Sequence, residues 1–329
     1  DTESVAHLLS DLRKEFNGDL PAAMREAVKT LRGSFTLLAV HADNPGVIVG
    51  VRRNSPLVLG VGDNEFFLAS DVAAFIEYTK RAVELGQDEI VVITPTGFEI
   101  TDLEGNAQTP REYQVTWDAE AAQKGGFNHF MLKEIFEQPK AVADTLIGRL
   151  TDNNQIELDE LKMSDEEIRA LKKIVVIACG TAYHAGMIAK YAIEKWAKIS
   201  VEVEIASEYR YRDPIIDSQT LVIAISQSGE TMDTLMALRH AKAAGARVLA
   251  ICNTNSSTIP RESDAVLYTH AGPEIAVAST KAFLTQVVAV YLIGLHLAQV
   301  RKELTDLEVA ELYNELLALP AKIEAILET

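Results

Sequence analysis

The chain has 329 residues, which corresponds to about two domains at the usual size of roughly 150 residues each. Its composition, 48% hydrophobic and 24% charged, excludes a mostly disordered or collagen-like chain. Its formal net charge is −17, from 31 basic and 48 acidic residues, and a field of that sign repels nucleic acid and anionic lipid. Because basic residues cluster only as pairs, we expect no nucleic-acid or membrane partner.

Residues 1–116 show a mixed α and β pattern. Apolar residues recur at helical spacing over 3–16 and 20–31, which predicts two helices. Short β-like runs separated by turn residues follow, and they predict strands at 34–41, 47–53, 57–61, 65–70, 90–94 and 98–101. The close spacing of these runs favours antiparallel meanders with helices covering one face.

Residues 117–150 are predicted to be a linker that delivers a helix or two. Residues 151–303 are then predicted to be one domain, in which residues 164–300 alternate between helical patterns and continuous apolar runs. Helices are predicted at 165–172, 183–197, 230–244 and 279–300, and strands at 174–178, 201–205, 221–225, 247–251 and 265–269. Apolar strands that alternate with helices predict an α/β domain with a doubly wound parallel sheet.

Both ends of the chain look internal to a longer protein. Asp1 is followed at once by a predicted helix, and the helical stretch over 304–329 ends without a stop signal. We therefore expect a piece of a longer chain, in which 304–329 is a helix that connects to a further domain.

The two cysteines, Cys179 and Cys252, each follow an apolar run. This favours reduced thiols at strand ends over a disulfide, and hence a reducing compartment, the cytoplasm. The chain opens with no secretory leader pattern. Its most apolar segment, 282–300, contains polar residues such as Gln286 and His296, which predicts a buried helix rather than a membrane span.

Two strand-to-helix turns contain the residues that favour ligand binding. One runs through Cys179, Gly180, Thr181 and Ala182, and the other is Ser226-Gln227-Ser228-Gly229-Glu230-Thr231. Both follow parallel strands, where open α/β sheets bind ligands, and both place N–H groups and hydroxyls at a helix N-terminus. Because the lysine of a nucleotide-binding loop is lacking, the turns favour a monophosphate. The alternative is that Ser228 and Thr231 are only helix caps.

A third segment, 274–283, precedes the last helix of the α/β region. Ser279 or Thr280 is predicted to cap that helix, and the small residues around them leave room for a ligand. Glu230 lies near the proposed phosphate site. Its carboxylate suits the first turn of a helix, and a role as general base is the alternative.

At these residues the chain resembles a known family. Residues 174–300 resemble a sugar isomerase domain, and ordered motifs narrow the resemblance to the glucosamine-6-phosphate synthase family, the isomerising glutamine:fructose-6-phosphate aminotransferases. The motifs are Cys-Gly-Thr-x-Tyr-His-Ala (179–185), Glu-Tyr-Arg-Tyr-Arg (208–212), Ser-Gln-Ser-Gly-Glu-Thr (226–231), Ala-Ile-Cys-Asn (250–253), Ala-Ser-Thr-Lys-Ala-Phe (278–283) and Lys-Glu-Ile-Phe-Glu-Gln-Pro (133–139). Residues 1–116 are similar to the later part of that family's glutaminase domain, which is of the N-terminal-nucleophile type.

The resemblance implies a phosphosugar site for fructose 6-phosphate or glucosamine 6-phosphate. The residues it assigns to that site are Gly180, Thr181, Ala182, Ser226, Gln227, Ser228, Thr231, Val277 and Ala278. At Ala182 many relatives have serine, so a phosphate hydroxyl donor is missing while the backbone N–H remains. Asp1 matches the aspartate that pairs with the α-ammonium group of glutamine.

The resemblance also implies an amido transfer followed by a ketose–aldose isomerisation. The glutaminase nucleophile is a cysteine at the mature N-terminus, and the isomerase acid–base groups lie in a second sugar isomerase domain and the C-terminal tail. None of these lies in this sequence. We therefore assign no catalytic residue, no metal and no cofactor, and we expect a phosphosugar-binding part of a homodimeric enzyme that is inactive alone.

Three other functions are alternatives for this sequence. A phosphosugar-binding regulator would need a basic DNA-binding helix pair, which the acidic sequence lacks. A deglycating hydrolase of the same superfamily would lack the glutaminase-like residues 1–116. A nicotinamide oxidoreductase would need a third glycine after Gly60-Val61-Gly62, or partners for Gly180 at dinucleotide spacing.

Overall fold

The computed structural model describes residues 2–115, 124–255 and 257–329. The chain divides into two compact units, residues 1–122 and residues 123–329. The domain boundary predicted at residue 116 lies outside the described residues. The predicted linker, 117–150, overlaps the second unit and contributes a helix to it.

The first unit begins with the two predicted helices, α1 (Thr2–Glu15) and α2 (Leu20–Thr30). The α2 helix begins where its sequence predicts, because Asp19 accepts the N–H of Ala22 over 2.9 Å and Pro21 occupies the first turn. Its buried face, including Met24 and Val28, packs on the strand residues Val49 and Val51.

Two antiparallel sheets complete the first unit. One has the order β1-β2-β6-β7 and consists of β1 (Phe35–Ala39), β2 (Ile48–Arg53), β6 (Ile90–Thr94) and β7 (Gly97–Thr101). The other has the order β4-β3-β5-β8 and consists of β4 (Phe66–Ala69), β3 (Val58–Val61), β5 (Arg81–Glu84) and β8 (Arg111–Gln114). The sequence predicted neither β5 nor β8. Both are four residues long with charged or polar ends, so pairing with neighbouring strands decides their structure.

The second unit begins with α3 (Phe130–Leu146) and contains five parallel strands in the order β10-β9-β11-β12-β13. The strands are β9 (Lys173–Ala178), β10 (Ser200–Ile205), β11 (Thr220–Ser226), β12 (Arg247–Cys252) and β13 (Ala265–Tyr268). The helices before, between and after them are α4 (Asp165–Ala170), α5 (Gly180–Ala197), α6 (Ala206–Tyr209), α7 (Met232–Ala243), α8 (Thr258–Glu262) and α9 (Lys281–Val300). Short 3₁₀ turns lie at Val72–Ala74 in the first unit and Asp159–Leu161 here.

Alternate residues of the central strands pack into two different cores. Ile174 and Val176 of β9 lie in the core that includes α5 and α9. Val175 and Ile177 lie in the core that includes α6, α7 and α8. Helices therefore cover both faces of the parallel sheet, which confirms the predicted doubly wound α/β architecture.

The C-terminal stretch contains two helices rather than the single predicted one, α10 (Asp306–Leu317) and α11 (Leu319–Leu327). The break falls at Ala318 because Pro320 has no N–H to continue the α10 ladder. Leu312 and Leu319 pack against the core of the second unit, so part of the apolar stripe over 304–329 is covered there.

Among the described helices, α9 has the length and apolar composition of a membrane span, with a mean hydropathy of 1.7 over 18 residues. In the second unit 67% of that stretch is buried, and α5 and α3 pack along it. A helix that is apolar all round can form the core of a large domain as well as cross a bilayer. The predicted buried helix is therefore confirmed.

Tyr209 predicts a pH dependence of stability. Its side chain is fully buried, its hydroxyl has no hydrogen-bond partner among the described residues, and burial raises its pKa to about 12. Since an unfolded tyrosine loses its proton near pH 10, the stabilisation present below about pH 10 is lost as the pH rises towards 12. We expect Tyr209→Phe to change the free energy of unfolding at pH 7 by less than about 1 kcal/mol. In this variant the free energy of unfolding should also fall less steeply as the pH rises above about 10.

Urea unfolding across the alkaline range measures both effects of Tyr209→Phe. Tyr191→Phe is the matched control, because Tyr191 is 76% exposed. Identical pH slopes for the wild type and Tyr209→Phe would contradict the prediction.

Candidate functional site at the carboxyl edge of the parallel sheet

The candidate site lies where the strand order of the parallel sheet reverses. From β9 the chain crosses to β10 on one side, and β11 lies on the other side of β9. Open α/β sheets bind ligands in the crevice at such a switch point. Ile225 of β11 is paired with Ala178 of β9, so the turns that follow the two strands start side by side, at the usual strand spacing of about 4.8 Å.

The turn after β11 is built around a buried serine. Ser226 is 2% exposed, and its Oγ accepts the N–H of Gly229 over 3.1 Å. The same oxygen shares a hydrogen bond of 2.9 Å with Oγ1 of Thr231. Ser228 is half-buried, and its Oγ accepts the N–H of Glu230 over 3.2 Å. Three hydroxyl groups thus lie in one turn, and those of Ser226 and Thr231 are hydrogen-bonded to each other.

Gly229 packs tightly in this turn. Its φ is +66°, in the left-handed region that favours glycine, and a Cβ at this position would lie 2.8 Å from Cβ of Ser257 and 3.0 Å from Cδ of Pro260. Its carbonyl oxygen accepts the N–H of Ile259 over 2.8 Å. Glycine therefore allows α8 to pack directly on the turn.

Glu230 caps the short helix next to the turn. Its Oε1 accepts the N–H of Thr258 over 2.8 Å and the Thr258 hydroxyl over 3.0 Å. Thr258 is the first residue of α8, so the carboxylate satisfies a donor that the helix itself cannot pair. The structure thus gives Glu230 a role on α8, whereas the sequence placed it in the first turn of the following helix.

The helix that follows the turn, α7, begins without a side-chain cap from its own N-cap residue. That residue is Thr231, whose hydroxyl bonds Ser226 instead of an N–H of α7. Ser228 likewise accepts the N–H of Glu230, before the helix starts. The alternative that Ser228 and Thr231 serve only as caps of α7 is therefore wrong. The positive end of the α7 dipole faces the crevice.

The helix after the β9–α5 turn also begins without a side-chain cap from its own N-cap residue. Gly180 has a φ of +59°, and the N-cap residue, Cys179, makes no side-chain capping bond. Thr181 is exposed and Ala182 is 8% exposed in the first turn of α5. Ala182 can therefore offer a ligand only its backbone N–H. Two helix N-termini without a cap from their own N-cap side chains thus lie next to each other, an arrangement that favours an anion.

The third segment is organised differently from its prediction. Thr280 is the N-cap residue of α9, but its side chain makes no capping bond. The carboxylate of Glu274 instead accepts the N–H of Thr280 over 2.9 Å and that of Ala282 over 3.1 Å. A carboxylate carries a full charge, so it is a stronger acceptor at a helix N-terminus than a hydroxyl. Val277 and Ala278 lie exposed in the loop between β13 and α9.

Asn253, directly after β12, connects this loop to the β11–α7 turn. Its N–H binds the carbonyl oxygen of Gln227 over 3.1 Å. Its side-chain oxygen accepts the N–H of Ala271 over 2.8 Å, and its side-chain nitrogen donates to the carbonyl oxygen of Gly272 over 2.6 Å. No role was predicted for Asn253 from the sequence. Its position at the carboxyl end of a parallel strand could have indicated one.

Cys252 does not have the character of a nucleophile. Cys179 and Cys252 are both free, and burial raises the pKa of the Cys252 thiol. Within residues 2–115, 124–255 and 257–329, no group of three His, Cys, Asp or Glu side chains could hold a metal ion. Asp1, the predicted contact for glutamine, lies outside the described residues.

Comparison with known proteins gives a consistent family. The SIS domain family matches residues 167–295. The isomerising glutamine–fructose-6-phosphate aminotransferase of Streptomyces coelicolor is 61% identical over 331 residues, which cover 100% of this chain and 53% of that protein. The enzyme of the same name from Corynebacterium diphtheriae is 57% identical over 329 residues, with the same shares. The solved C-terminal domain of glucosamine-fructose-6-phosphate aminotransferase from Francisella tularensis is 48% identical with a TM-score of 0.58, and the match covers 60% of this chain and 56% of that one.

These matches favour the aminotransferase family over the regulator and the deglycating hydrolase. The chain spans about half the length of the curated relatives it matches, at 53% of each. Its own full length aligns with them, and the SIS match falls on the second unit. The chain is therefore homologous over its whole length to the isomerising glutamine–fructose-6-phosphate aminotransferases and contains a SIS domain.

Proposed function

We propose that the second unit binds a phosphosugar in the crevice between the β9–α5 and β11–α7 turns. The observation that carries this proposal is the pair of adjacent helix N-termini whose own N-cap side chains leave them uncapped. Each offers the first N–H groups of a helix, which have no partner within that helix, and the positive end of a helix dipole. Both suit a phosphate monoester. Thr181 and Ser228 lie close enough to solvent to add hydroxyl donors.

In this proposal the ligand is fructose 6-phosphate or glucosamine 6-phosphate. Its phosphate binds the N–H groups of Gly180, Thr181 and Ala182 and the turn from Ser226 to Thr231, while its sugar lies beside Val277 and Ala278. The exposure of Val277 and Ala278 supports this, since both remain open to a ligand.

The whole protein, by this proposal, makes glucosamine 6-phosphate from fructose 6-phosphate and glutamine. This chain would contribute the phosphosugar-binding part, and residues 1–116 would be the later part of the glutaminase-type domain, with Asp1 near glutamine. The names and identity of the relatives support this assignment. We further propose a homodimer in the cytoplasm, and the two free cysteines agree with a reducing compartment.

Calorimetry of the chain with glucosamine 6-phosphate tests the site, with inorganic phosphate and glucosamine as comparison ligands. We expect Ser228→Ala to weaken phosphosugar binding about tenfold, because it removes one hydroxyl donor to a charged ligand. The melting temperature should fall only slightly, because the N–H of Glu230, which loses its acceptor, lies in a half-buried part of the turn.

Ser218→Ala is the matched control, because Ser218 is an exposed serine before β11, at the opposite edge of the sheet. Equal affinities of Ser228→Ala and the wild type would refute the assignment of this turn. Absence of phosphosugar binding by the wild type would refute the proposed ligand.

A further inference from the structure

The loop between β13 and α9, residues 269–280, is held near both ends. Near its start, the side chain of Asn253 accepts the N–H of Ala271. Near its end, Glu274 accepts the N–H of Thr280. The exposed residues that the proposed function places beside the sugar lie between these two anchors.

A third anchor comes from α3. Glu134 is 2% exposed, and its Oε1 accepts the N–H of Ile275 over 2.6 Å and that of Ala276 over 3.0 Å. These N–H groups directly precede Val277 and Ala278. Hydrogen bonds to a buried carboxylate are strong because the charge is poorly screened, so they set the backbone position of this stretch.

A second carboxylate of α3, that of Glu137, binds lysines instead of the loop. Glu137 binds the Nζ atoms of two buried lysines, Lys133 at 3.3 Å and Lys281 at 2.6 Å. Lys281 is the first residue of α9, so Glu137 anchors the helix, whereas Glu134 anchors the loop. Oε2 of Glu134 is buried and has no hydrogen-bond partner in the described chain. Burial of an incompletely paired carboxylate lowers the stability of the fold, whereas the hydrogen bonds of the same carboxylate fix the loop geometry.

We propose that Glu134 is a positioning residue for the sugar side of the phosphosugar site. Its carboxylate holds the N–H groups of Ile275 and Ala276 and thereby places Val277 and Ala278 beside the sugar ring. The inference rests on the phosphosugar site proposed above. The β11–α7 turn has its own internal hydrogen bonds, so Glu134 acts on recognition of the sugar and not on the phosphate.

The test compares Glu134→Ala and Glu134→Gln with the wild-type chain. We expect Glu134→Ala to weaken glucosamine 6-phosphate binding about tenfold and inorganic phosphate binding less than about twofold. Glu134→Gln keeps the side-chain volume and one acceptor oxygen, so its affinity should lie in between. Peptide-level hydrogen exchange over 275–278 should be faster in both variants, and most of all in Glu134→Ala.

Glu137→Gln is the matched control on the same helix, because it disturbs two buried lysines but not the loop N–H groups. It should lower the melting temperature and leave both the exchange over 275–278 and the ratio of phosphosugar to phosphate affinity unchanged. A parallel loss of phosphosugar and phosphate affinity in Glu134→Ala, or an unchanged ratio, would overturn only this inference. If the wild type binds no phosphosugar at all, the proposed function fails and this inference fails with it.

Discussion

Replacing Gly229 by alanine is expected to lower the free energy of unfolding by about 2–4 kcal/mol and to abolish phosphosugar binding. Two effects add: alanine is disfavoured at the left-handed φ of +66°, and its Cβ would lie 2.8 Å from Cβ of Ser257. The clash cannot be relieved by moving the end of a flexible side chain. The turn or α8 must shift, and either movement displaces the N–H groups that would hold the phosphate.

Gly245→Ala separates the clash from the backbone cost. Gly245 also has a positive φ, +90°, but a Cβ there would meet no atom within 4 Å. Gly245→Ala should lower the free energy of unfolding by about 1 kcal/mol and leave phosphosugar binding unchanged. Urea unfolding and calorimetry of both variants measure the difference. Equal destabilisation by the two changes would show that packing against α8 does not restrict position 229.

Ser226→Ala is expected to lower both stability and affinity. It leaves the buried N–H of Gly229 without its acceptor and removes the hydrogen bond to Thr231, at a cost of about 1–3 kcal/mol. Because the β11–α7 turn then loses two of its internal bonds, we expect phosphosugar binding to fall by about tenfold or more. Thermal unfolding and calorimetry of the variant measure the two losses.

A double-mutant cycle with Thr231→Val isolates the bond between the two hydroxyls. Valine keeps the shape of threonine, so the coupling energy between positions 226 and 231 should be about 1 kcal/mol. Additive effects of the two changes would mean that the hydroxyls do not support each other. Affinity lost without any loss of stability would place Ser226 in direct contact with the ligand alone.

The parallel sheet could be predicted because its signal is local. Strands such as β9 and β11 are continuous apolar runs, and each alternates with a helix long enough to show its own period. The turns at Gly180 and Gly229 were predicted for the same reason, since glycine and hydroxyl residues directly follow those runs. The short helices α6 and α8 were not predicted, because they have only four and five residues, too few to show a helical period.

Contacts between distant parts of the chain could not be predicted from the sequence either. Glu134 meets the N–H of Ile275 across 141 positions, and Asn253 meets Ala271 across 18. At the start of α9, two hydroxyl residues predicted the capping side chain, but the carboxylate of Glu274, six residues before Thr280, accepts the N–H instead. A propensity describes one residue in an average setting, so it cannot reveal which buried acceptor a fold brings to a given N–H.

The sequence by itself determined the α/β architecture of the second unit, its two candidate phosphate turns and the resemblance to the aminotransferases. These follow from apolar periodicity, turn residues and ordered motifs, all of which act over a few neighbouring positions. Only the tertiary structure decided that Thr231 bonds Ser226 instead of capping α7, that Glu230 caps α8, and that Glu134 accepts the N–H of Ile275 in the loop before α9. Buried donors and acceptors must find partners, and which partners are within reach depends on how the strands and helices pack.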